Sequence, residues 1–392
     1  MRFESSRGNQ LNTTGAADWA SYRALFPALR EWAYFGWASV APLSSPVSDA
    51  MHAQIESVRD QGVSSYRDWY AAYDQTRAQA AQLIGADPQE IALLKNTSEG
   101  ISTVACGLEL QSGDNVVLPL GEFPANAYPW LALRERGIEV RRVATRAQGA
   151  YAAQDVQELL NARTRVLAVS FVNFTSGFRT DLAALGKLCR ERGIFFFVDA
   201  IQGLGALPLE VQRMAIDGLA ADGHKWLCGP EGQALLFIRS PWRERIRPLS
   251  RGWWSVQDPG RYELDDQALS PTGRRYECGT LCTAAVYGFR AALELANRAG
   301  VAAIAERIAR LAGLLAAQLR ARGLPVFRAE GPAEWSGIVS FEVPGRDAKE
   351  LAAALERSKV LLNPRLGRLR AAVHAWNNEA DIARLLEALP KP

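Results

Sequence analysis

The chain has 392 residues, of which 48% are hydrophobic and 22% charged, and its formal net charge is +3. This length is ample for two or three domains with a sizeable core, and the small net charge excludes a nucleic-acid stripe or a basic membrane face. The polar amino terminus lacks a signal-peptide pattern, and no apolar run approaches the ~20 residues that cross a bilayer. Five cysteines without a C-x-x-C pair favour reduced thiols. We therefore expect a soluble, cytoplasmic enzyme that binds neither nucleic acid nor membrane.

The first two thirds of the chain show a regular order of predicted elements. A helical pattern covers residues 47–83 and ends before Gly85. Strands are then predicted at residues 91–94, 115–118, 139–143, 166–171 and 194–198, with helices at 98–108, 126–136, 155–161 and 182–192 between them. This alternation is typical of a mostly parallel sheet covered by helices.

The last third predicts a second unit. A strand at 234–238 leads into a loop-rich region at 239–275, and helices follow at 282–297 and 301–319. The final predicted elements are a strand at 337–343, a helix at 348–358, a strand at 369–373 and a helix at 381–389. We therefore expect residues 1–46 to pack near the active site and the small domain. Residues 47–281 are expected to form a large domain, and 282–392 a smaller α+β domain.

The stretch between residues 194 and 226 carries the clearest chemical signal. The apolar run 194–198 is typical of a strand buried on both faces, and Asp199 follows at the sheet edge where α/β proteins bind ligands. Lys225 stands further on, in Asp222-Gly223-His224-Lys225-Trp226. A lysine for covalent attachment and a carboxylate that keeps a pyridine nitrogen protonated are what pyridoxal phosphate requires. Each residue alone has a plainer explanation, because aspartate caps helices and a lysine stem lies on a tryptophan ring.

Three further motifs follow predicted strands. Thr97 and Ser98 open a helix, where hydroxyls and free amides bind phosphate or simply cap the helix. Phe123 comes after the next strand and can stack on a heteroaromatic ring or belong to the core. Asn173 ends the strand at 166–171 and can bond a ring oxygen or hold its own turn.

In this order, the motifs resemble those of the class V aminotransferase superfamily of fold-type I pyridoxal-phosphate (PLP) enzymes. That group includes cysteine desulfurases, selenocysteine lyases, kynureninases and isopenicillin N epimerases. The resemblance extends from about residue 34 to residue 382. It implies an α/β fold with a large, mostly parallel seven-stranded sheet and a smaller α+β C-terminal domain. It also implies PLP as the cofactor without a metal, an amino-acid substrate, and a homodimer with shared active sites.

The resemblance also implies a role for each matching position. The implied roles are covalent attachment of the cofactor by Lys225; phosphate binding by Thr97, Ser98 and His224; stacking by Phe123; contacts with the ring hydroxyl by Asn173 and Gln202; pairing with the pyridine nitrogen by Asp199; contact with the neighbouring subunit's phosphate by Thr280; and binding of the substrate carboxylate by Arg370.

Departures from the pattern bear on the reaction. Cysteine desulfurases carry a nucleophilic cysteine just before the carboxylate-binding arginine, and residues 358–367 contain none. Because sulfur transfer needs an acceptor thiolate, we expect that the chain is not a cysteine desulfurase. Cys278 and Cys282 are expected to be buried small side chains. Asp222 stands where many relatives have a phosphate-binding serine, and its charge would repel the phosphate.

We therefore expect an enzyme that forms a carbanion at the substrate Cα. The favoured reaction is β-elimination by a lyase, with a C–S bond as one target; an aminotransferase or an amino-acid epimerase is the alternative. A nicotinamide-binding oxidoreductase is disfavoured, because Gly203-Leu204-Gly205 lacks a third glycine at the required spacing. A catalytically silent homologue is disfavoured because Lys225, Asp199 and Arg370 are all present.

Overall fold

The computed structural model describes residues 18–329 and 331–390. The strands of these residues are β1 (Ala33–Tyr34), β2 (Ile91–Leu94), β3 (Asn115–Pro119), β4 (Glu139–Val143), β5 (Thr164–Ser170), β6 (Phe195–Asp199), β7 (Gly218–Asp222), β8 (Ala234–Ile238), β9 (Val326–Phe327), β10 (Ile338–Phe341), β11 (Val360–Leu361), β12 (Asn363–Arg365) and β13 (Arg368–Ala372). Their α-helices are α1 (Trp19–Ala24), α2 (Ser45–Gln61), α3 (Tyr66–Ile84), α4 (Thr97–Gly107), α5 (Pro124–Ala132), α6 (Ala153–Gln157), α7 (Leu182–Arg192), α8 (Ser240–Arg243), α9 (Thr283–Ala299), α10 (Val301–Ala321), α11 (Ala348–Arg357) and α12 (Glu379–Ala388). None of these helices combines the length and the apolarity needed to cross a membrane.

Seven strands form one sheet in the order β2-β8-β7-β6-β5-β3-β4. Only β8 runs against its neighbours, so the sheet is mostly parallel, as the sequence predicts. In β6, Phe195 and Phe197 join the core on one face and Phe196 and Val198 join the core on the other. Burial on both faces explains why this strand is a continuous apolar run. Because β6 and β7 are parallel neighbours, their last residues come out at the same edge of the sheet.

The C-terminal residues form a smaller antiparallel sheet in the order β12-β13-β10-β9, with a core of its own shared with α10, α11 and α12. This confirms the expected α+β unit. The N-terminal strand β1 pairs in parallel with β11, and Gly36 bridges to Ala372 of β13. Helix α9 packs along α2 and α3. The domain boundaries expected at residues 46 and 281 stay predictions.

Among the differences from the sequence predictions, two have a clear physical reason. The single helix expected over 47–83 is two helices, α2 and α3, because the backbone at Gly62 (φ +55°) leaves the helical region. Strand β7 has no counterpart among the predicted strands. Its sequence Gly-Leu-Ala-Ala-Asp consists mostly of residues with low strand propensity, and its central place in the sheet overrides that preference.

A buried ion pair holds the edge strand β2. The Glu277 carboxylate accepts hydrogen bonds from the Leu93 backbone N–H at 2.8 Å, from the Arg77 guanidinium at 2.6 and 2.8 Å, and from the Trp254 indole N–H at 3.0 Å. The Glu277 side chain is fully buried and that of Arg77 is 8% exposed. This cluster connects β2, α3 and the loop region before α9.

We predict that Glu277→Ala lowers the free energy of unfolding by about 3–5 kcal/mol, because it leaves the Arg77 guanidinium buried without its main partner. The control Glu263→Ala breaks an ion pair with Arg261 in which both side chains are more than half exposed. That change should cost less than about 1 kcal/mol. Urea unfolding followed by circular dichroism measures both variants. Equal effects would contradict a stabilising role for the Glu277 cluster.

Candidate active site

The ends of β6 and β7 bring an aspartate and a lysine together at the carboxyl edge of the large sheet. Asp199 is 2% exposed, and its carboxylate accepts a hydrogen bond from the Ile201 backbone N–H at 3.1 Å. Burial raises the pKa of Asp199 to about 6, although the Ile201 amide and the positive charge of Lys225 lower it. The carboxylate therefore has a strong preference for a cationic partner.

The amine of Lys225 lies in the same environment. Burial lowers the pKa of Lys225 to about 8; Asp199 acts to raise it and Arg370 to lower it. The Nζ atom is 5.6 Å from the centre of the Phe123 ring. An amine with this pKa is about half neutral at pH 8, and the neutral form is the one that attacks a carbonyl.

Phe123 and Gln202 provide an aromatic face and an amide near this lysine. Phe123 is 41% exposed and packs edge-to-face on Phe174, with ring centres 5.1 Å apart. The Gln202 amide donates to the Ala38 carbonyl at 3.0 Å and accepts from the Trp226 indole N–H at 2.9 Å. The amide nitrogen has two hydrogens, and only one is used among the described residues. The other is free for a ring substituent.

Asn173 holds the turn after β5. Its side-chain oxygen accepts hydrogen bonds from the backbone N–H groups of Thr175 at 3.0 Å and Ser176 at 3.1 Å, and its amide donates to the Gly121 carbonyl at 3.3 Å. These contacts fasten the turn to the loop that carries Phe123. Contact of Asn173 with a ring oxygen stays a prediction.

Hydrogen-bond donors for an anion converge at the start of α4. The Thr97 backbone N–H donates to the Asp222 carboxylate, and His224 Nδ1 lies 3.4 Å from the same carboxylate. The buried Thr97 hydroxyl has no hydrogen-bond partner within the described part of the chain. Ser98 is exposed beside it. A helix start with an unpartnered hydroxyl and an imidazole suits a phosphate, but Asp222 brings a negative charge to the same place.

Arg370 lies on β13 and is 2% exposed. Its guanidinium donates to the Phe174 carbonyl at 2.6 Å and to the Ser39 hydroxyl at 2.7 Å, and Ser39 in turn donates to Asn363 at 2.8 Å. Burial lowers the pKa of Arg370 to about 9. Within residues 18–329 and 331–390 no carboxylate pairs with this guanidinium, and its Nε has no partner. A buried cation without a counter-ion is well suited to binding a substrate carboxylate.

Three contributors to the candidate site were not identified from the sequence. Ser39 and the Phe174 carbonyl lie in loops, and their role depends on the fold alone. Glu122 accepts hydrogen bonds from the Ser170 backbone N–H at 2.8 Å and the Asn126 amide at 3.0 Å. Burial raises the pKa of Glu122 to about 7, and the charge of Asp199 acts in the same direction. Its position three residues after β3, at the carboxyl edge of the sheet, could have identified Glu122 from the sequence.

Thr280 is not part of this group. It is exposed and lies beside Trp253 and Trp254, and it forms no hydrogen bond with Lys225 or its neighbours in the described residues. Cys278 and Cys282 are also exposed, so the expectation that they are buried is wrong. Both lie in the loop between the buried Glu277 and α9, where the described residues leave their side chains uncovered.

The segment just before Arg370 forms a tight hairpin. Strands β12 and β13 pair antiparallel, with Arg365 opposite Arg368. The two residues between them, Leu366 and Gly367, have φ values of +48° and +79°, as in a two-residue hairpin turn. Leu366 at the tip is 82% exposed. This hairpin brings no thiol to the site.

An amine of lowered pKa and a buried carboxylate at the carboxyl edge of such a sheet are what a PLP-dependent enzyme of fold type I requires. Its cofactor is pyridoxal phosphate, and the residues fit the ring end of that molecule; at the phosphate end only Asp222 has the wrong charge. The chain matches the model of the family described as Aminotransferase class-V over residues 33–384. It therefore belongs to that family.

Similar proteins match along almost the whole chain. The uncharacterized aminotransferase YcbU of Bacillus subtilis (strain 168) is 28% identical over 373 residues, covering 94% of this chain and 96% of that protein. A probable cysteine desulfurase of Methanothermobacter thermautotrophicus is 28% identical over 388 residues, covering 93% and 95%. Among solved structures, the apo cysteine desulfurase of Thermococcus onnurineus NA1 has a TM-score of 0.88 at 26% identity, covering 94% and 96%. The protein C-DES, with glycine covalently linked to its PLP cofactor, has a TM-score of 0.87 at 25% identity, covering 93% and 98%.

These similarities correct the expectation about the reaction. The expectation that the chain is not a cysteine desulfurase is wrong, because its relatives and structural neighbours include proteins named cysteine desulfurases. The missing cysteine in residues 358–367 concerns only the acceptor of sulfur. That acceptor is a separate group from the residues that hold the cofactor and the substrate.

We predict that the Lys225 pKa responds in opposite directions to two substitutions. Asp199→Asn removes a negative neighbour and lowers this pKa, whereas Arg370→Met removes a positive neighbour and raises it. Competitive acylation of the cofactor-free enzyme across a pH series, with peptide mass mapping, measures the inflection for Lys225 in each variant. Shifts in the same direction would contradict the proposed electrostatic coupling.

Proposed function

We propose that this chain is a PLP-dependent enzyme of the cysteine desulfurase type. It cleaves the C–S bond of cysteine and passes the sulfur to a thiol, so that cysteine and the acceptor thiol become alanine and a persulfide. The observation that carries the proposal is Arg370, a buried guanidinium that has only neutral hydrogen-bond partners among the described residues and whose charge lowers the pKa of Lys225. A proton-transfer group and a carboxylate-binding group thus act on one substrate. Cysteine is the proposed substrate because several relatives and structural neighbours are named cysteine desulfurases.

Lys225 has two tasks in this proposal. It would hold PLP covalently, and its free amine would remove the Cα proton of the substrate. When bound, PLP supplies a ring that withdraws electrons from the substrate Cα. The Lys225 pKa of about 8 suits proton transfer near neutral pH. Phe123 has no titratable group, so it cannot share the proton transfer.

The other site residues position the reactants. Asp199 keeps a proton on the ring nitrogen, since a cation there satisfies its buried carboxylate. Arg370 takes the α-carboxylate and thereby sets the orientation of the Cα bonds. The remaining proposed contacts are stacking by Phe123, ring-hydroxyl contacts by Asn173 and Gln202, and phosphate contacts by Thr97, Ser98 and His224.

The acceptor thiol must come from outside the hairpin before Arg370. The sequence has no cysteine after Cys282, and of the five thiols Cys106, Cys278 and Cys282 are exposed. Either one of these thiols or a free thiol in solution takes the sulfur. A solved structure shows the cystine C–S lyase C-DES in complex with its reaction product, cysteine persulfide. That protein is a precedent for sulfur chemistry on this fold.

We further propose a cytoplasmic homodimer with shared active sites. Thr280 has no place in the site of its own chain, which supports a role at the phosphate of a neighbouring subunit. The partly buried aromatic side chains around Thr280, those of Tyr70, Trp253 and Trp254, give such a neighbour an apolar area to cover. All five cysteines are free, as suits a reducing compartment.

The reaction is tested by incubating the PLP-loaded enzyme with cysteine and dithiothreitol and identifying the products by mass. We expect equal amounts of alanine and sulfide. Pyruvate with ammonia, or a sulfur-containing keto acid, would overturn the proposal. Omitting dithiothreitol and comparing wild type with the Cys278→Ser, Cys282→Ser double variant locates the acceptor. A persulfide found on wild-type protein alone assigns it to this pair.

We predict that Lys225→Ala lowers turnover at least ~10²–10⁴-fold, because both covalent attachment and proton transfer are lost. Borohydride reduction should leave PLP attached to Lys225 in the wild type and to no lysine in this variant. Lys187→Ala, which removes an exposed lysine, is the control and should retain wild-type turnover. Retention of activity by Lys225→Ala would contradict the assignment.

We predict that Thr280→Ala weakens PLP retention roughly tenfold or more, as loss of a hydrogen bond to a charged group does. Light scattering should show a dimer for both the variant and the wild type. Active monomer at low protein concentration, or unchanged retention, would contradict the shared active site.

A further inference from the structure

Asp222 places a protein carboxylate where the cofactor phosphate is expected. It is the last residue of β7, and it accepts a hydrogen bond from the backbone N–H of Thr97, the first residue of α4. The free amides at a helix start attract anions. The Asp222 carboxylate is the anion that binds the first of these amides, that of Thr97. A phosphate bound to the same donors therefore lies against a carboxylate.

The charges around Asp222 do not remove this conflict. Lys225 favours the ionised form of Asp222, and Asp199 disfavours it. His224 has its Nδ1 3.4 Å from the carboxylate, and burial lowers the pKa of His224, so the ring is a neutral partner. Glu231 acts on His224 from the loop before β8, while the β8 residue opposite Asp222 is the apolar Ala234. No arginine is among the neighbours that shift the pKa of Asp222.

Protonation of Asp222 removes the repulsion between its carboxylate and the phosphate, at a small cost in free energy. Burial raises the pKa of Asp222 to about 6, so near neutral pH the protonated form is only slightly less stable than the ionised form. A carboxylic acid keeps one oxygen to accept the Thr97 N–H and gains an O–H that donates to phosphate. Two neighbouring anions in a buried site, by contrast, repel strongly.

We propose that Asp222 binds the cofactor phosphate as a carboxylic acid, so that PLP binds together with one proton. The proton is shared between the carboxyl group and the phosphate, whose second pKa is near 6. Asp222 thus donates the hydrogen bond that a serine hydroxyl donates in many relatives, but only after proton uptake. The proposal rests on the cofactor assignment and is independent of the reaction proposed above.

Proton uptake makes cofactor retention dependent on pH. Above the pKa of Asp222, each pH unit should weaken the affinity of the wild-type enzyme about tenfold more than that of Asp222→Asn. Asparagine mimics the neutral acid, because its carbonyl accepts from Thr97 and its amide donates. Dialysis of both holoenzymes between pH 6.5 and 8.5, with assay of retained PLP, measures the difference. Lys225 is present in both, so its own titration cancels in the comparison.

Calorimetry counts the proton directly. Pyridoxine 5′-phosphate, which lacks the aldehyde and cannot react with Lys225, is titrated into cofactor-free enzyme whose visible spectrum returns on adding PLP. In buffers of different ionisation enthalpy at pH 8, wild type should take up about one more proton than Asp222→Asn. The exposed-site variant Asp266→Asn should behave as wild type. Equal uptake by wild type and Asp222→Asn would overturn the proposal.

Two further arms keep the test decisive. If Asp222→Asn does not fold, Asp222→Ser carries the same expectation of pH-independent binding. Pyridoxine, which has no phosphate, should bind wild type and variant equally; a difference there would assign Asp222 to the ring and overturn the proposal. None of these ligands is a substrate, so a failed desulfurase assay leaves the result unaffected.

Discussion

The candidate site depends on holding opposite charges together away from water. Asp199, Asp222, Lys225 and Arg370 share one buried edge of the structure, and each alters the protonation of at least one other. Two carboxylates and two cations nearly neutralise one another before anything binds. PLP then adds a phosphate near Asp222 and the substrate adds a carboxylate near Arg370, so a negative charge arrives at each of these two places. These negative charges must be neutralised by added protons or by cations that have no carboxylate partner. Arg370 is such a cation among the described residues.

Three distant parts of the chain build this edge. The central strands supply Asp199 and Asp222, the smaller sheet supplies Arg370, and the segment after β1 joins them. In that segment, the Ala38 carbonyl holds Gln202 and the Ser39 hydroxyl holds Arg370. The pairing of β1 with β11 therefore also affects the geometry of the site. It couples the position of the substrate-binding arginine to the position of the cofactor-binding strands.

The sequence predicted most of the parallel sheet because its strands alternate regularly with helices and its central strand is continuously apolar. It also predicted that Asp199 and Lys225 lie at the same edge, Asp199 from the end of its strand and Lys225 from the order of the motifs. It could not predict β7, whose glycine and alanine residues are strand-forming only in their buried context. Nor could it predict contacts of long sequence separation, such as Arg370 with Ser39, or the exposure of Cys278 and Cys282, which depends on what lies over their segment.

The hairpin before Arg370 restricts how sulfur can leave the site. A two-residue turn between β12 and β13 has no spare chain to fold a side chain from its tip back onto the substrate. An acceptor thiol must therefore approach from another direction. In the proposed dimer, Thr280 of one subunit reaches the phosphate of the other, and Cys278 precedes it by two residues, or roughly 7 Å of extended chain. In that proposed dimer, the contact at the phosphate would also bring the Cys278 thiol to the neighbour's cofactor site, by a route other than the hairpin before Arg370.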